Sequence, residues 1–188
     1  ESVVEPASFI FKVTGGSRAL LAQITRHRVG VSFSVQSQRY VDQSNVEFIF
    51  PDNLTVDQKK SMFDCFEDIS TKYNELKILG TKNEDARAVL PNACPTDMVV
   101  TFNLRSFAHF CHERLCTSAQ KEIRDLTKLM KDIVVDKFAE ESEDFANYLK
   151  TSYLTPKCLA RAIPYCTERK EKWCKRAPHV SEPKEKLN

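Results

Sequence analysis

One long amphipathic segment, Thr55 to Leu79, does most to limit the folds open to this chain. Thr55 can cap its first turn, and Gly80 suits its C-terminal end. Its apolar residues recur at the spacing of one helix face, which predicts a single long helix: Phe63, Phe66, Ile69, Tyr73 and Leu76. A helix of this length needs a second layer of structure to cover its apolar face.

The rest of the chain supplies candidates for that layer. Aromatic and β-branched runs predict strands over 8–13, 46–50 and 96–102, the first of them ended by Gly15-Gly16. Further helices are predicted over 18–26, 83–89, 103–115, 118–138 and 143–153, with Ser17, Asn103 and Ser118 as N-caps. Strands interleaved with helices, followed by a helical half, indicate an α+β fold.

Charge and composition exclude several classes of protein. The 28 basic and 26 acidic residues nearly balance, so we expect no nucleic-acid partner, which would need a concentrated basic surface. No apolar run approaches 18 residues and no signal peptide is evident, so we expect no membrane span and a cytoplasmic protein with reduced thiols. Because the chain starts at Glu1 without Met, we also expect residues upstream of it.

Basic residues cluster at the end of the first predicted helix. Arg26-His27-Arg28 is followed closely by Gln36, Ser37 and Arg39. The planar guanidinium suits phosphate, because it makes paired hydrogen bonds strengthened by charge, and Gln36 and Ser37 add neutral donors. A solvent-exposed basic turn is the alternative, since a helix C-terminus itself disfavours anions.

A second polar group lies on the predicted helix after the third strand. Asn103 can cap this helix, and Arg114 lies near its end. Arg105 and His109 are four residues apart and therefore share one face. An ordinary polar, solvent-exposed face is the alternative interpretation.

Two other patterns are weaker evidence for a functional site. Arg87 follows two acids, Glu84 and Asp85, and such a pattern is usually a surface ion pair of little energetic weight. Three cysteines in the C-terminal part are separated by seven residues each time, whereas zinc sites use tighter pairs and a fourth ligand: Cys158, Cys166 and Cys174. With only four glycines and no glycine-rich phosphate motif, side chains must hold any cofactor phosphates.

These blocks, taken in order, resemble the flavin-dependent thymidylate synthases over about residues 1 to 135. The matching stretches are Glu1-Ser2-Val3-Val4-Glu5, Arg26-His27-Arg28 with Ser37 and Arg39-Tyr40, Arg87-Ala88-Val89-Leu90-Pro91, Thr101 to Arg114, and Ala119 to Arg124. The resemblance implies the thymidylate synthase-complementing fold, with an antiparallel sheet packed against long helices. It also implies a homotetramer whose active sites draw on several subunits.

The resemblance implies a reaction as well. The family uses FAD to convert dUMP to dTMP, with methylenetetrahydrofolate as carbon donor and NADPH as reductant. The residues it assigns to FAD are Ser2, Glu5, Arg26, His27, Arg28, Asn103, Arg105 and His109. The residues it assigns to dUMP are Gln23, Gln36, Ser37, Arg39, Arg87 and Arg114. Arg114 and Ser37 are the implied catalytic residues, Arg114 by stabilising charge that develops on the pyrimidine, and no metal is implied.

The same resemblance predicts the organisation of the chain. Residues 1–155 would form the synthase domain, without the family's usual N-terminal helix, and residues 156–188 a basic, cysteine-containing tail. One alternative is a homologue that binds FAD or nucleotide without full synthase turnover. A nucleic-acid-binding protein that uses the arginine cluster is a second, and its polyanion affinity would depend on salt.

Overall fold

The structure is a computed structural model that describes residues 2–162 and 164–182. It divides into two compact units. Unit 1 comprises Glu1–Phe9, His27–Val31 and Thr101–Asn188, and unit 2 comprises Ile10–Arg26 and Ser32–Val100.

Three strands form one sheet in the order β1-β3-β2. They are β1 (Ser8–Ser17), β2 (Val31–Val35) and β3 (Pro95–Asn103). The backbone N–H groups of Arg18 and Leu104 donate to the carbonyls of Cys94 and Ala7, so β1 runs antiparallel to β3. Asn103 and Gln36 donate to Gly30 and Asp97 in the same way, so β2 is antiparallel as well. This confirms the predicted α+β fold with an antiparallel sheet.

Six α-helices accompany the sheet in the described part of the chain. They are α1 (Arg18–Ile24), α2 (Val56–Ile78), α3 (Asn83–Ala86), α4 (Leu104–Arg114), α5 (Lys121–Ala139) and α6 (Glu143–Tyr148). Short 3₁₀ turns occupy Ser2–Val4, Arg87–Val89 and Lys170–Lys172, and a π turn occupies Leu149–Tyr153. The helix predicted over 55–79 is confirmed, with a full capping box between Thr55 and Gln58.

An aromatic core organises unit 1 around helix α4. Phe107 and Phe110 are fully buried, and both contact the ring of Phe102 with centroids 5.6 and 5.2 Å away. Phe9 adds a contact to Phe107 at 6.2 Å. These rings fix one side of α4 in the core, so the polar residues of its other side are held in a defined direction.

Helix α2 organises unit 2. Its Phe66 is buried under Phe48 and Phe50, with centroids 4.6 and 5.1 Å apart. The hydroxyl of the buried Tyr73 accepts the backbone N–H of Gln43 at 3.2 Å. The segment before α2 is therefore anchored on the helix by alternate aromatic residues.

The strand predicted over 46–50 is wrong. These residues form no strand: Phe48 and Phe50 pack on Phe66 of α2, and the backbone N–H of Ile49 donates to the carbonyl of Ala93 outside any strand ladder. The second strand is Val31–Val35, whose alternating apolar and serine residues carry the period-2 pattern.

Two predicted boundaries are also corrected. Strand β1 continues through Gly15 and Gly16; a Cβ on Gly16 would lie 2.8 Å from Leu20 Cδ2, so the missing side chain lets strand and helix approach. Ser118 does not cap α5, whose N-cap is Gln120. The hydroxyl of Ser118 donates instead to Glu168 Oε2 at 2.9 Å.

Within the described residues, no helix combines the length and the apolar character needed to cross a membrane.

Candidate functional site

In unit 1, the start of α4 is held by a side-chain cap. Oδ1 of Asn103 accepts the backbone N–H of Ser106 at 2.8 Å, as predicted for an N-cap. Because α4 begins here, Arg105 and His109 fall on its exposed side while the phenylalanines face the core. The cap therefore sets the direction of several predicted flavin-binding residues.

Gly30 fits closely against this cap. It has φ +66, and a Cβ built on it would lie 2.1 Å from Ser106 Oγ and 2.8 Å from Asn103 Nδ2. Its carbonyl accepts the backbone N–H of Asn103 at 3.2 Å. Only glycine allows both this backbone conformation and this approach. The sequence interpretation did not single out Gly30, although a glycine just after Arg26-His27-Arg28 was a visible signal.

His27 and Arg114 meet in unit 1. Nε of Arg114 donates to Nε2 of His27 at 3.0 Å. The imidazole also makes edge contacts with the rings of His109 and Phe110, at centroid distances of 5.9 and 5.0 Å. The structure thus brings together three predicted site residues that are far apart in sequence.

The surroundings keep His27 neutral. Burial, and then the positive charge of Arg114, lower the pKa of His27 to about 4. Because the Nε–H of arginine can only donate, Nε2 of His27 must accept and its proton must lie on Nδ1. His27 therefore presents one N–H donor and no charge at neutral pH.

The other predicted flavin residues of unit 1 lie near the N-terminal segment or at the surface. Arg105 forms an ion pair with Glu5 through its NH1 group, so these two predicted residues are also brought together. Arg28 is exposed. Ser2 lies in the 3₁₀ turn Ser2–Val4.

In unit 2, Ser37 organises a tight turn. Its hydroxyl accepts the backbone N–H of Arg39 at 3.2 Å, and its carbonyl accepts those of Tyr40 and Val41. The preceding Gln36 is anchored by its backbone N–H on the carbonyl of Asp97 at 2.9 Å. The turn presents the Arg39 side chain, whose guanidinium lies 5.5 Å from the centre of the Tyr40 ring.

Glu84 connects two predicted nucleotide-binding arginines of unit 2. Its carboxylate pairs with Arg39 Nε at 2.6 Å, and its backbone carbonyl accepts from Arg87 Nε at 3.0 Å. Arg39 thus makes the ion pair that was expected for Arg87, while Arg87 donates to the backbone carbonyl of Glu84. Glu84 was missed as a site residue, because a carboxylate is not expected where an anion binds.

Arg18 is a second residue of unit 2 that the sequence interpretation passed over. Its Nε is buried and has no hydrogen-bond partner. Burial lowers the pKa of Arg18, and the charge of Arg87 acts in the same direction, whereas Cys94 opposes them. A cation in the first turn of a helix runs against the helix dipole, which is the sequence signal that could have found it.

The residues predicted to bind FAD and dUMP are divided between the two units. Unit 1 contains Arg114 and all the predicted flavin residues except Arg26. Unit 2 contains the remaining predicted nucleotide residues, with Gln23 on α1 and Arg26 just beyond its end.

Two buried cysteines, Cys94 and Cys111, are not activated nucleophiles. Burial raises the pKa of Cys94 and that of Cys111, which disfavours the reactive thiolate. In residues 2–162 and 164–182, no three histidine, cysteine, aspartate or glutamate side chains lie close enough together to hold a metal ion.

Comparison with known proteins identifies relatives of this chain. The model of the thymidylate synthase complementing protein family matches residues 1–140. The flavin-dependent thymidylate synthase of Nitratidesulfovibrio vulgaris is 43% identical over 139 residues, which are 69% of this chain and 56% of that protein. The flavin-dependent thymidylate synthase of Pyrococcus furiosus is 35% identical over 178 residues, 90% of this chain and 68% of the relative.

A solved structure shows the same fold. The flavin-dependent thymidylate synthase of Helicobacter pylori, complexed with FAD and dUMP, superposes with a TM-score of 0.60 at 28% identity, covering 76% of this chain and 75% of that one. The chain thus spans between about half and two thirds of the length of the curated relatives quoted above. The family match over residues 1–140 and these relatives confirm the resemblance seen in the sequence: the chain belongs to the thymidylate synthase complementing protein family.

Proposed function

We propose that this chain catalyses the FAD-dependent conversion of dUMP to dTMP, with methylenetetrahydrofolate as carbon donor and NADPH as reductant. The observation that carries the proposal is the contact between Arg114 and a neutral His27. A neutral acceptor orients the guanidinium without cancelling its charge, which is what stabilisation of a developing anion requires.

The polar groups of unit 1 fit FAD. They comprise guanidinium donors on Arg28 and Arg105, the Nδ1–H of neutral His27, and the amide of Asn103. Together they can bind a diphosphate through side chains, as a chain without a glycine-rich loop requires. Gly30 brings backbone close to Asn103 where a Cβ could not be placed. When bound, FAD would supply the hydride chemistry of the reaction.

Four further residues belong to the proposed FAD set: Glu5, His109, Ser2 and Arg26. Glu5 would hold Arg105 through their ion pair, so its role is to position that donor. His109 would contact the flavin from the exposed side of α4, next to His27. Ser2 and Arg26 complete the proposed set on the strength of the family resemblance.

Unit 2 carries the groups proposed for the dUMP phosphate and sugar. Arg39 and Arg87 are held near one residue, Glu84, and two guanidiniums can share one phosphate. The hydroxyl of Ser37 accepts a backbone N–H from within its turn, which leaves its own proton available to a ligand. Gln23 and Gln36 would add neutral hydrogen bonds.

Arg114 and Ser37 are the residues proposed to act on the reacting pyrimidine. Arg114 would stabilise negative charge as it develops on the ring, and His27 would keep the guanidinium in place. Ser37 would contact the ring through its hydroxyl. No cysteine is assigned as a nucleophile, in agreement with the raised pKa of Cys94 and Cys111.

We propose a cytoplasmic homotetramer. Several large apolar side chains are exposed on the two longest helices, a pattern typical of surfaces that pack in an oligomer: Val56, Phe63 and Ile78 on α2, and Leu129 and Ile133 on α5. Residues 1–155 would be the synthase domain and 156–188 its tail, of which 163 and 183–188 lie outside the described residues. Light scattering coupled to size exclusion tests the assembly.

A homologue that binds FAD and nucleotide without synthase turnover is the second candidate. The chain spans 56% of one relative and 68% of another, and no residue of the proposed set is assigned to methylenetetrahydrofolate. A protein of this second kind would bind FAD and dUMP at the same sites but would not transfer the methyl group.

One experiment separates the two candidates. The purified protein is mixed with FAD, and its visible spectrum is followed on addition of NADPH with and without dUMP. Bleaching that dUMP accelerates, followed by dTMP formation with methylenetetrahydrofolate, supports the synthase. Flavin binding without dTMP supports the second candidate, and a protein that ignores FAD contradicts both.

A further inference from the structure

Four of the seven thiols are neighbours in unit 1. Cys116, Cys158, Cys166 and Cys174 all contribute to the lining of a single cavity in this unit. The sequence placed three of them at even spacing but lacked a fourth partner. Cys116, two residues beyond the last residue of α4, is that partner.

The four cysteines line one small cavity. Its volume is about 40 Å³, which is large enough for a single ion or water and far too small for a nucleotide or drug-sized ligand. Lys157, Arg161 and Lys172 also contribute to its lining. A set of soft sulfur donors around an ion-sized space is the chemistry that Zn²⁺ selects.

The segment that supplies three of these thiols contains little regular secondary structure. Between residues 156 and 182 the described structure contains a single 3₁₀ turn, Lys170–Lys172, and one isolated bridge between Cys166 and His179. The imidazole Nε2 of His179 contacts the carbonyl of Glu168 at 2.7 Å. Few apolar residues of this segment are buried, so a metal crosslink would contribute directly to its stability.

The charge of the segment also suits a metal–thiolate centre. Residues 156–182 hold seven basic residues, Lys157, Arg161, Arg169, Lys170, Lys172, Lys175 and Arg176, against three acids, Glu168, Glu171 and Glu182. Four thiolates around Zn²⁺ carry a net charge of −2, which nearby cations stabilise.

We propose that Cys116, Cys158, Cys166 and Cys174 bind one structural Zn²⁺ ion, which fastens the segment 156–182 to the end of helix α4. On binding, the four thiols release four protons and the ion becomes tetrahedral, with each Zn–S bond about 2.3 Å long. Among the described residues these thiols do not stand at metal-binding distances from one another, so binding requires them to move closer together. Cys116, Cys158 and Cys174 lie outside helices and strands, so side-chain rotation and small backbone shifts would have to bring the sulfurs together.

The inference is independent of the synthase reaction, and its test uses metal content. The full chain is purified under reducing conditions with Zn²⁺ supplied, and zinc is measured in wild type and in Cys116→Ser, Cys158→Ser, Cys166→Ser and Cys174→Ser. About one equivalent is expected in the wild type and most of it is lost in each variant. Cys65→Ser, which removes an exposed thiol of unit 2, is the matched control and keeps the ion.

A second measurement covers variants that fold poorly. Wild-type protein stripped with a chelator is titrated with Co²⁺, and the bands of a tetrahedral thiolate complex are expected to saturate at one equivalent. Chelation also lowers the Tm of wild type and of Cys65→Ser. Zinc content no higher in wild type than in Cys158→Ser would overturn the proposal. An intact mass lower by two or four hydrogens, showing disulfides between these cysteines, would overturn it as well.

Discussion

Arg114 donates its Nε hydrogen to Nε2 of His27 across 3.0 Å, although the two residues are 87 positions apart in the chain. The contact joins the basic cluster after α1 to the last turn of α4, two regions that the sequence marked separately. It gives each residue a defined state, since the imidazole is neutral and the guanidinium is oriented. Each state can be tested by changing one partner.

Replacing Arg114 tests its proposed catalytic role. In Arg114→Ala we expect dTMP formation to fall roughly 10²–10³-fold, the range for losing one donor at a developing anion. FAD binding should change much less, because Arg114 is not assigned to the flavin. Steady-state rates and flavin titration measure both, with Arg169→Lys, an exposed site, as the control. Equal losses of FAD affinity and of rate would contradict the assignment.

The same variant should change the titration of His27. The charge of Arg114 lowers the pKa of His27, after the larger effect of burial. Without that charge the pKa should rise above about 4 while staying below the ordinary value of 6.5, because burial remains. Histidine NMR resonances followed against pH measure the shift, and an unchanged pKa would show that the contact does not form in solution.

His27 should also make stability depend on pH. Its folded pKa, about 4, lies below its ordinary value of 6.5, so the unfolded chain takes up the proton first as the pH falls. The free energy of unfolding should therefore decrease between pH 6.5 and 4, and the contribution stops below pH 4, where both states are protonated. In His27→Gln this contribution is absent. Urea unfolding of both proteins across this pH range separates the contribution of His27 from that of the carboxylates, which both proteins share. Identical pH profiles would rule out a contribution from His27.

The cap at Asn103 gives a prediction about Gly30. Gly30→Ala must place a Cβ 2.1 Å from Ser106 Oγ at φ +66, so the cap of α4 must move. Gly15 has the same φ and nothing within 4 Å of its Cβ position. Gly15→Ala therefore measures the backbone cost alone, about 1 kcal/mol, and Gly30→Ala should cost clearly more and also weaken FAD binding. Equal losses of unfolding free energy in the two variants would show that the close approach is unimportant.

Local signals account for the parts of this molecule that were predictable. Helices α2 and α4 have clear apolar periods, and their caps Thr55 and Asn103 form the expected bonds. Tertiary packing decided the rest. The segment 46–50 has strand-like residues, yet Phe48 and Phe50 pack on Phe66 of α2, and no local pattern reveals that choice.

In the candidate site, too, local sequence signals predicted one part and tertiary packing decided the other. Arginines and histidines were visible as clusters, because cations close in sequence are easily recognised. Their partners come from distant positions, so neither the bond between His27 and Arg114 nor the carboxylate of Glu84 at Arg39 was predictable from spacing. Cys116 likewise lies 42 positions before Cys158, and only the fold places it beside the three later thiols.

The ion pair between Glu84 and Arg39 gives the last prediction. A phosphate at Arg39 must compete with the Glu84 carboxylate, whereas the contact from Arg87 uses the Glu84 backbone and survives substitution. Glu84→Gln should therefore bind dUMP more tightly, by up to about 5-fold, since an exposed pair is worth at most about 1 kcal/mol. Asp85→Asn removes the neighbouring, exposed acid and controls for net charge. Calorimetric titration with dUMP compares the two; weaker binding in Glu84→Gln would mean that the carboxylate positions Arg39 instead of competing for it.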